Sequence, residues 1–138
     1  MTAANAEIVR NAYEAFNHEG RDAMLDFLHP DIEWDESELP ARRPGVYHGH
    51  EGVTRLLNEN ASLWENINVV VDEIIEGRPD QVVALIRVTG KGRNTGVDVE
   101  LATAQVWTLR AGKAERVRLY LDRQEAMESA GARSRSTG

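Results

Sequence analysis

In the first half of the chain, hydrophobic residues recur at helical spacing. Residues 6 to 18 place apolar side chains at i, i+3, i+4 and i+7, which predicts an amphipathic helix. A second, shorter helix is predicted over residues 22 to 28. It ends before Pro30, because proline disfavours the helical conformation in the residue that precedes it. A third helix is predicted over residues 51 to 64, so we expect three N-terminal helices.

The other apolar residues alternate with a period of two or form β-branched runs, and both patterns are typical of strands. One short strand precedes the third helix and four strands joined by turns follow it. In chain order the predicted strands cover residues 32–37, 66–76, 81–90, 97–110 and 113–121. In the first of them, Glu33 and Asp35 share one face, and Ile32, Trp34 and Glu36 share the other.

This order of helices and strands indicates an α+β fold. We expect a curved, mostly antiparallel sheet folded over the three helices as a cone with an internal cavity. The loop of residues 38–46 is long enough to act as a flap over that cavity. The sequence predicts a single domain over residues 1–130, with a last helical turn at 125–130 and a disordered tail at 131–138.

Composition narrows the possible partners. The 138 residues carry a net charge of -7, which argues against binding to nucleic acid or to an anionic membrane surface. The absence of cysteine excludes a disulfide scaffold, a thiol nucleophile and thiolate zinc sites. No apolar run is long enough to cross a bilayer and no leader pattern is seen, so we expect a cytoplasmic protein.

Polar and aromatic side chains gather at the start of the third helix, where Tyr47, His48 and His50 surround Gly49. A helix N-terminus can hold an anion or a developing negative charge, so we predict that these residues form the mouth of the cavity. Alternatively, each histidine only hydrogen-bonds to the backbone. No metal site is expected, because two histidines two residues apart need a third ligand and no cluster supplies one.

Motifs from about residue 6 to residue 130 are similar to those of one known family. They are AFNHEG, PDIEWD, YHGHEGV, GKGRNTG, VWTLRAGK and VRLYLDRQEAM, in chain order. The chain resembles the SnoaL-like branch of the nuclear-transport-factor-two and ketosteroid-isomerase superfamily. This resemblance implies a cystatin-like α+β barrel that forms dimers through the outer face of its sheet. It also implies functions that range from steroid isomerases, polyketide cyclases, dehydratases and epoxide hydrolases to non-catalytic binding proteins.

By this resemblance, Asp35 at the end of the first strand matches the carboxylate base that shuttles a proton in steroid isomerases. The two oxyanion donors of those enzymes fall on Ala12, one residue before Tyr13, and on Ala104. Because an enolate needs charge-stabilising donors, we do not expect steroid isomerisation.

The polyketide cyclases of the family are closest by resemblance. They carry an aspartate at the end of the last strand, where this chain has Asp122, and act on an acidic C–H group without metal or cofactor. A carboxylate in an aromatic-walled cavity is desolvated and becomes a competent base. Both aspartates have structural alternatives, Asp35 as a solvated carboxylate and Asp122 as a helix N-cap. The Asp-Arg-Asp relay of the epoxide hydrolases is incomplete, because Thr89 lies two residues after Arg87.

Ligand-binding candidates are the aromatic and charged residues that the pattern can place at the cavity: Trp34, Tyr47, His50, Trp64, Arg87, Glu100 and Tyr120. The two tryptophans and Tyr47 are either cavity wall or core. Arg87 and Glu100 form an ion pair either in the cavity or on the outer face. Tyr120 faces the dimer contact instead if its neighbours in the strand point inward. Trp107 is expected at a subunit contact.

We therefore expect a cofactor-free isomerase, cyclase or lyase that acts on a small apolar or polycyclic molecule. Asp35 or Asp122 would be the base, and His48, His50 or Tyr47 the hydrogen-bond donor. One alternative is a ligand-binding or accessory module without turnover. Another is a protein-interaction subunit whose cavity is filled by its own side chains.

Overall fold

The structure, a computed structural model, describes residues 2–39 and 45–132, and within these it contains four helices and a six-stranded sheet. The elements, in chain order, are α1 (Thr2–Glu19), a 3-10 helix (Arg21–Phe27), β1 (Leu28–Asp35), β2 (Val46–His48), α2 (Gly49–Leu63), β3 (Trp64–Glu76), β4 (Gln81–Gly92), β5 (Asp98–Arg110), β6 (Lys113–Tyr120) and α3 (Arg123–Ala130). The predicted α+β class is confirmed.

Across the sheet the strands run in the order β2-β1-β6-β5-β4-β3. Neighbouring strands are antiparallel except for β1 and β6, which are parallel, so the sheet is mixed. The long-range pairing of β1 with β6 brings Trp34 level with Val117, which in turn lies opposite Trp107 of β5. The end of β1 therefore lies close to the C-terminal part of β5.

Buried side chains form two clusters on opposite faces of the sheet. The inner core lies under α1, α2 and the 3-10 helix and includes Val9, Tyr13, Leu56, Ile86 and Trp107. The outer core lies under α3 and consists of Ile75, Val83, Ala104, Val106, Tyr120, Ala126, Met127 and Ala130. Alternation along the strands produces this division, because successive side chains point to opposite faces.

The prediction of three N-terminal helices needs correction. The second helical segment is a 3-10 helix of seven residues, Arg21–Phe27, and not an α-helix. It is short because β1 already begins at Leu28, and short segments suit the tighter 3-10 geometry. The fourth helix, α3, is C-terminal and packs on the opposite face of the sheet. Within the described residues, no helix is long and apolar enough to cross a membrane.

The strands also begin differently from the prediction. β1 starts at Leu28 and not at residue 32, and Pro30 fits there because the ladder to β6 is irregular between Leu28 and Glu33. β2 was not predicted, since three residues are too few to show a period. Of the predicted flap, residues 40–44 lie outside the described residues, as do residues 133–138 of the predicted tail.

Candidate functional site

A cavity of about 370 Å³ lies between the inner face of the sheet and the helices. Its deep end is formed by buried side chains, among them Tyr13, Trp34 and Gln105. Its mouth includes the exposed apolar residues Val99 and Leu101 at the start of β5. This volume is typical of small-molecule sites. The cavity is therefore not filled by the protein's own side chains.

Glu36 brings a carboxylate into the cavity wall. It follows β1 directly and lies on the same face as Trp34, two residues earlier, because side chains in an extended segment alternate between faces. The side chain of Glu36 is buried, with the residue 6% exposed. The indole Nε1 of Trp34 donates a hydrogen bond to its Oε2 at 2.9 Å. Trp34 thus fixes the carboxylate within a wall that is otherwise largely apolar.

Three buried polar side chains form a hydrogen-bonded chain beneath the cavity. The indole Nε1 of Trp107 donates to the Tyr13 hydroxyl at 2.8 Å, and that hydroxyl donates to Oε1 of Gln105 at 2.5 Å. Tyr13 in α1 and Trp107 in β5 also pack edge to face with ring centroids 5.5 Å apart. Burial raises the pKa of the Tyr13 phenol and outweighs the opposing effect of the bond from Trp107. Tyr13 is therefore a neutral donor.

The donors and acceptors in this chain can be arranged in only one direction, from Trp107 through Tyr13 to Gln105. An indole N–H can only donate, so the Tyr13 oxygen accepts from Trp107 and its own proton needs another acceptor. The side-chain oxygen of Gln105 is that acceptor, which fixes the orientation of the amide. Gln105 lines the cavity, so its amide nitrogen, with two N–H donors, is left to serve a ligand.

Asp35 lies on the opposite face from the cavity. Its Oδ1 accepts hydrogen bonds from the backbone N–H and the hydroxyl of Ser37, at 2.9 and 2.6 Å, and Arg116 lies 3.8 Å from its Oδ2. Burial opposes the charged form of Asp35, but the bonds from Ser37, together with Arg118 and Arg116, outweigh it and lower the pKa. Asp35 is thus an ionised outer-face carboxylate and does not line the cavity.

Tyr47, His48 and His50 lie at the N-terminal end of α2, whereas the cavity lies along its C-terminal half. Tyr47 is fully buried, and its hydroxyl donates to Oε1 of Glu59 at 3.1 Å. His48 is exposed, and Nε2 of His50 lies 2.9 Å from the Leu28 carbonyl oxygen. The cavity therefore opens at the opposite end of α2 from the predicted mouth.

Asp122 caps α3, accepting hydrogen bonds at its Oδ1 from the backbone N–H groups of Gln124 and Glu125 at 2.8 and 3.2 Å. The structural alternative for Asp122, a helix N-cap, is therefore the arrangement observed. Tyr120 packs in the outer core, away from the cavity. Its strand neighbours Val117 and Leu119 point inward, so Tyr120 lies on the outer face, and its expected place at a dimer contact stays a prediction.

Arg87 belongs to an outer-face ion cluster, with Nη2 2.9 Å from Asp72 and Nη1 3.2 Å from Glu100. Glu100 also contributes to the rim of the cavity. Among the predicted binding residues, Trp34 and Trp64 line the cavity itself. Trp107, expected at a subunit contact, is instead fully buried in the inner core. The described residues contain no group of three or more potential metal ligands of the His, Cys, Asp or Glu type.

Sequence reasoning did not select Glu36, Gln105 or Tyr13 as site residues. The signal that could have identified the first two was their spacing. Glu36 lies two residues after Trp34, and Gln105 lies two residues before Trp107, so each shares a face with a buried tryptophan.

The match to a protein family establishes where this fold belongs. Residues 9–117 match the model of the SnoaL-like domain family. The chain belongs to this family. The resemblance seen in its motifs is therefore confirmed, and the α+β architecture described above is the fold of a SnoaL-like domain. No curated protein matches the sequence.

Solved structures with similar folds agree with this membership. An NTF2-like protein of unknown function from Burkholderia pseudomallei K96243 is 26% identical, with a TM-score of 0.75 over 92% of this chain and 97% of that one. TerC, co-crystallised with polyporic acid, is 26% identical, with a TM-score of 0.74 over the same shares. An NTF2-like protein from Burkholderia thailandensis E264 is 27% identical, with a TM-score of 0.71 over 88% and 95% of the two chains.

Proposed function

We propose that this SnoaL-like domain is a cofactor-free acid–base enzyme, an isomerase, cyclase or lyase, that acts on an apolar or polycyclic carbonyl compound. One observation carries the proposal: the carboxylate of Glu36, 6% exposed and held by Trp34, lies in the wall of a largely apolar cavity of about 370 Å³. A carboxylate shielded from water and fixed in direction can act as a general base toward a bound carbon acid.

Glu36 and Gln105 have complementary roles in this proposal. Glu36 removes a proton from the carbon next to the carbonyl group, and the electron pair of the C–H bond moves to the carbonyl oxygen. The amide N–H of Gln105, whose orientation is fixed through Tyr13, donates to that oxygen as negative charge develops. Return of the proton to another carbon gives isomerisation. Attack of the enolate carbon on a second carbonyl gives cyclisation, and the proton held by Glu36 then passes to the alkoxide formed at that carbonyl.

The comparisons support a small-molecule function. TerC, 26% identical to this chain, was crystallised with polyporic acid, so a protein of the same fold and similar sequence takes up a small organic molecule. The polar groups in the cavity wall favour turnover over passive binding, since a pocket that only binds apolar compounds has no need of a fixed carboxylate.

Deuterium incorporation tests the proposal without knowledge of the product. Fused-ring ketones, namely 1-tetralone and 2-tetralone, are incubated with the protein in D₂O, and exchange next to the carbonyl is followed by mass spectrometry. The wild type should accelerate exchange above the buffer rate. Glu36→Gln, which keeps an acceptor for Trp34, should lower the enzymatic rate by about a hundredfold or more, the usual contribution of a general base.

Asp35→Asn is the matched control, because Asp35 is the adjacent carboxylate on the other face of the sheet. It should leave the exchange rate unchanged. Equal exchange by Glu36→Gln and the wild type would refute the assignment of the base. Quenching of Trp64 and Trp34 fluorescence by the ketones, without any exchange in the wild type, would instead favour the non-catalytic ligand-binding module.

We also propose that the domain forms a homodimer through the outer face of its sheet, as its family membership suggests. Because α3 packs on β4, β5 and β6 on that face, a second copy would dock beside α3 and not on bare sheet. Sedimentation velocity tests this, since the chain has a mass of 15.4 kDa and a dimer would have twice that mass.

A further inference from the structure

A second cavity of about 180 Å³ adjoins the first. The two share part of their walls, namely Phe16, Leu57, Asn60, Trp64 and Ile67. The two cavities therefore lie side by side, and a ligand that spans both would pass Trp64. The smaller cavity differs in chemistry, because arginine side chains line it, whereas no arginine among residues 2–39 and 45–132 lines the main cavity.

Two guanidinium groups, those of Arg21 and Arg93, line the second cavity, and Glu65 supplies its only carboxylate among the described residues. Nη1 of Arg93 lies 3.6 Å from Oε2 of Glu65, so this pair is close to neutral. Arg21 donates from Nη2 to Oδ1 of Asn58 at 3.2 Å and, within residues 2–39 and 45–132, has no carboxylate at ion-pair distance. The compartment is thus net positive in a chain whose net charge is -7.

The local backbone holds this compartment in place. Between Glu65 and Asn68 the ladder of β3 to β4 contains one extra residue on β3, a β-bulge, and Asn66 within it has φ 56°. The bulge brings Asn66 to the second cavity. On the other side, Nε of Arg93 donates to the Ala61 carbonyl at 2.6 Å, which fixes its guanidinium against the end of α2. The guanidinium of Arg93 is therefore positioned before any ligand arrives.

We propose that the second cavity binds the carboxylate of an acidic ligand whose apolar body occupies the main cavity. An arginine guanidinium pairs with a carboxylate through two parallel hydrogen bonds, which makes Arg21 the principal contact. This inference rests on the ligand-binding part of the proposed function, and it does not require turnover.

Two fluorescent probes with the same ring skeleton test the charge directly. One is 8-anilinonaphthalene-1-sulfonate, which carries one acid group, and the other is the neutral N-phenyl-1-naphthylamine. Both are titrated into the full-length protein at low and high salt. The wild type should bind the acidic probe more tightly, and salt should weaken the binding of that probe alone.

Arg21→Gln should lower the affinity for the acidic probe by about tenfold, the scale of one charge-assisted contact, and leave the neutral probe within about twofold. Arg93→Lys, which keeps the charge, should bind both probes nearly as the wild type does. Arg110→Gln is the control variant, since Arg110 is an exposed arginine of β5 that does not line either cavity.

Three outcomes would overturn the inference. Unchanged affinity of Arg21→Gln for the acidic probe would show that the charge of Arg21 does not contribute to binding. An equal loss of affinity for both probes would show that Arg21 maintains the shape of the cavity and does not bind an anion. Failure of the wild type to bind either probe would also remove the ligand-binding part of the proposed function. If ketone exchange is absent but the difference in affinity between the two probes persists, the acid subsite is retained in a protein that binds ligands without turnover.

Discussion

Replacing Tyr13 with Phe tests whether the buried chain of hydrogen bonds beneath the cavity is real. The substitution removes one oxygen and keeps the ring, so the edge-to-face contact with Trp107 at 5.5 Å is retained and little volume is lost. It breaks two hydrogen bonds, from Trp107 to the phenol and from the phenol to Gln105. The cost is therefore that of unpaired polar groups and not of a cavity.

The magnitude follows from where those groups lie. Trp107 is 0% exposed, so its indole N–H cannot reach water and bears the full penalty of about 1–3 kcal/mol for an unsatisfied buried donor. Gln105 lines the cavity, so its side-chain oxygen can be solvated there and loses only the net value of one bond, about 1 kcal/mol. Together, Tyr13→Phe should lower the free energy of unfolding by about 2–4 kcal/mol.

Urea unfolding followed by tryptophan fluorescence measures this loss, and a double-mutant cycle assigns it. In Gln105→Met, a side chain of similar shape without a polar end replaces the acceptor. If the two residues are coupled, the double variant should be at least about 0.5 kcal/mol more stable than the sum of the single losses predicts. A loss below about 0.5 kcal/mol in Tyr13→Phe, or additive effects in the cycle, would refute the directional chain.

Two further predictions concern the aspartates outside the cavity. Asp122→Ala removes the N-cap of α3, so urea unfolding should show a loss of about 1 kcal/mol while ketone exchange stays unchanged. A loss of exchange without a loss of stability would instead indicate that Asp122 takes part in the reaction. Because the pKa of Asp35 is lowered in the folded protein, the unfolded chain binds more protons just below the ordinary aspartate pKa of about 3.9. The difference in free energy of unfolding between the wild type and Asp35→Asn should therefore be constant above about pH 5 and shrink as the pH falls below about 4. A difference that grows in favour of the wild type on acidification would contradict this prediction.

Periodicity was sufficient to divide β1 into faces but not to say which face is inside. The alternation placed Ile32 and Trp34 on one face and Glu33 and Asp35 on the other, as the structure has them. The inner face depends on the parallel pairing of β1 with β6, more than eighty residues away along the chain. A local pattern carries no information about a pairing of that range.

Packing determines where the residues at the start of α2 lie, and the local sequence pattern does not show this packing. Tyr47 of β2 pairs with Trp34 of β1, which brings the beginning of α2 down onto the sheet. A Cβ on Gly52 would come within 3.3 Å of the Tyr47 backbone, so helix and strand are in contact there. The cavity lies instead along the C-terminal half of the helix.

At three places the cavity is lined by the residue next to the one that the resemblance matched. The resemblance matched the family's base to Asp35 and its two oxyanion donors to Ala12 and Ala104, whereas the next residue in each case, Glu36, Tyr13 or Gln105, lines the cavity. In a strand a shift of one residue moves a side chain to the opposite face, and in a helix it turns the side chain by about 100°. The two buried tryptophans resolve the strand positions. Each faces inward, so the residue two positions from it faces inward too, which gives Glu36 from Trp34 and Gln105 from Trp107.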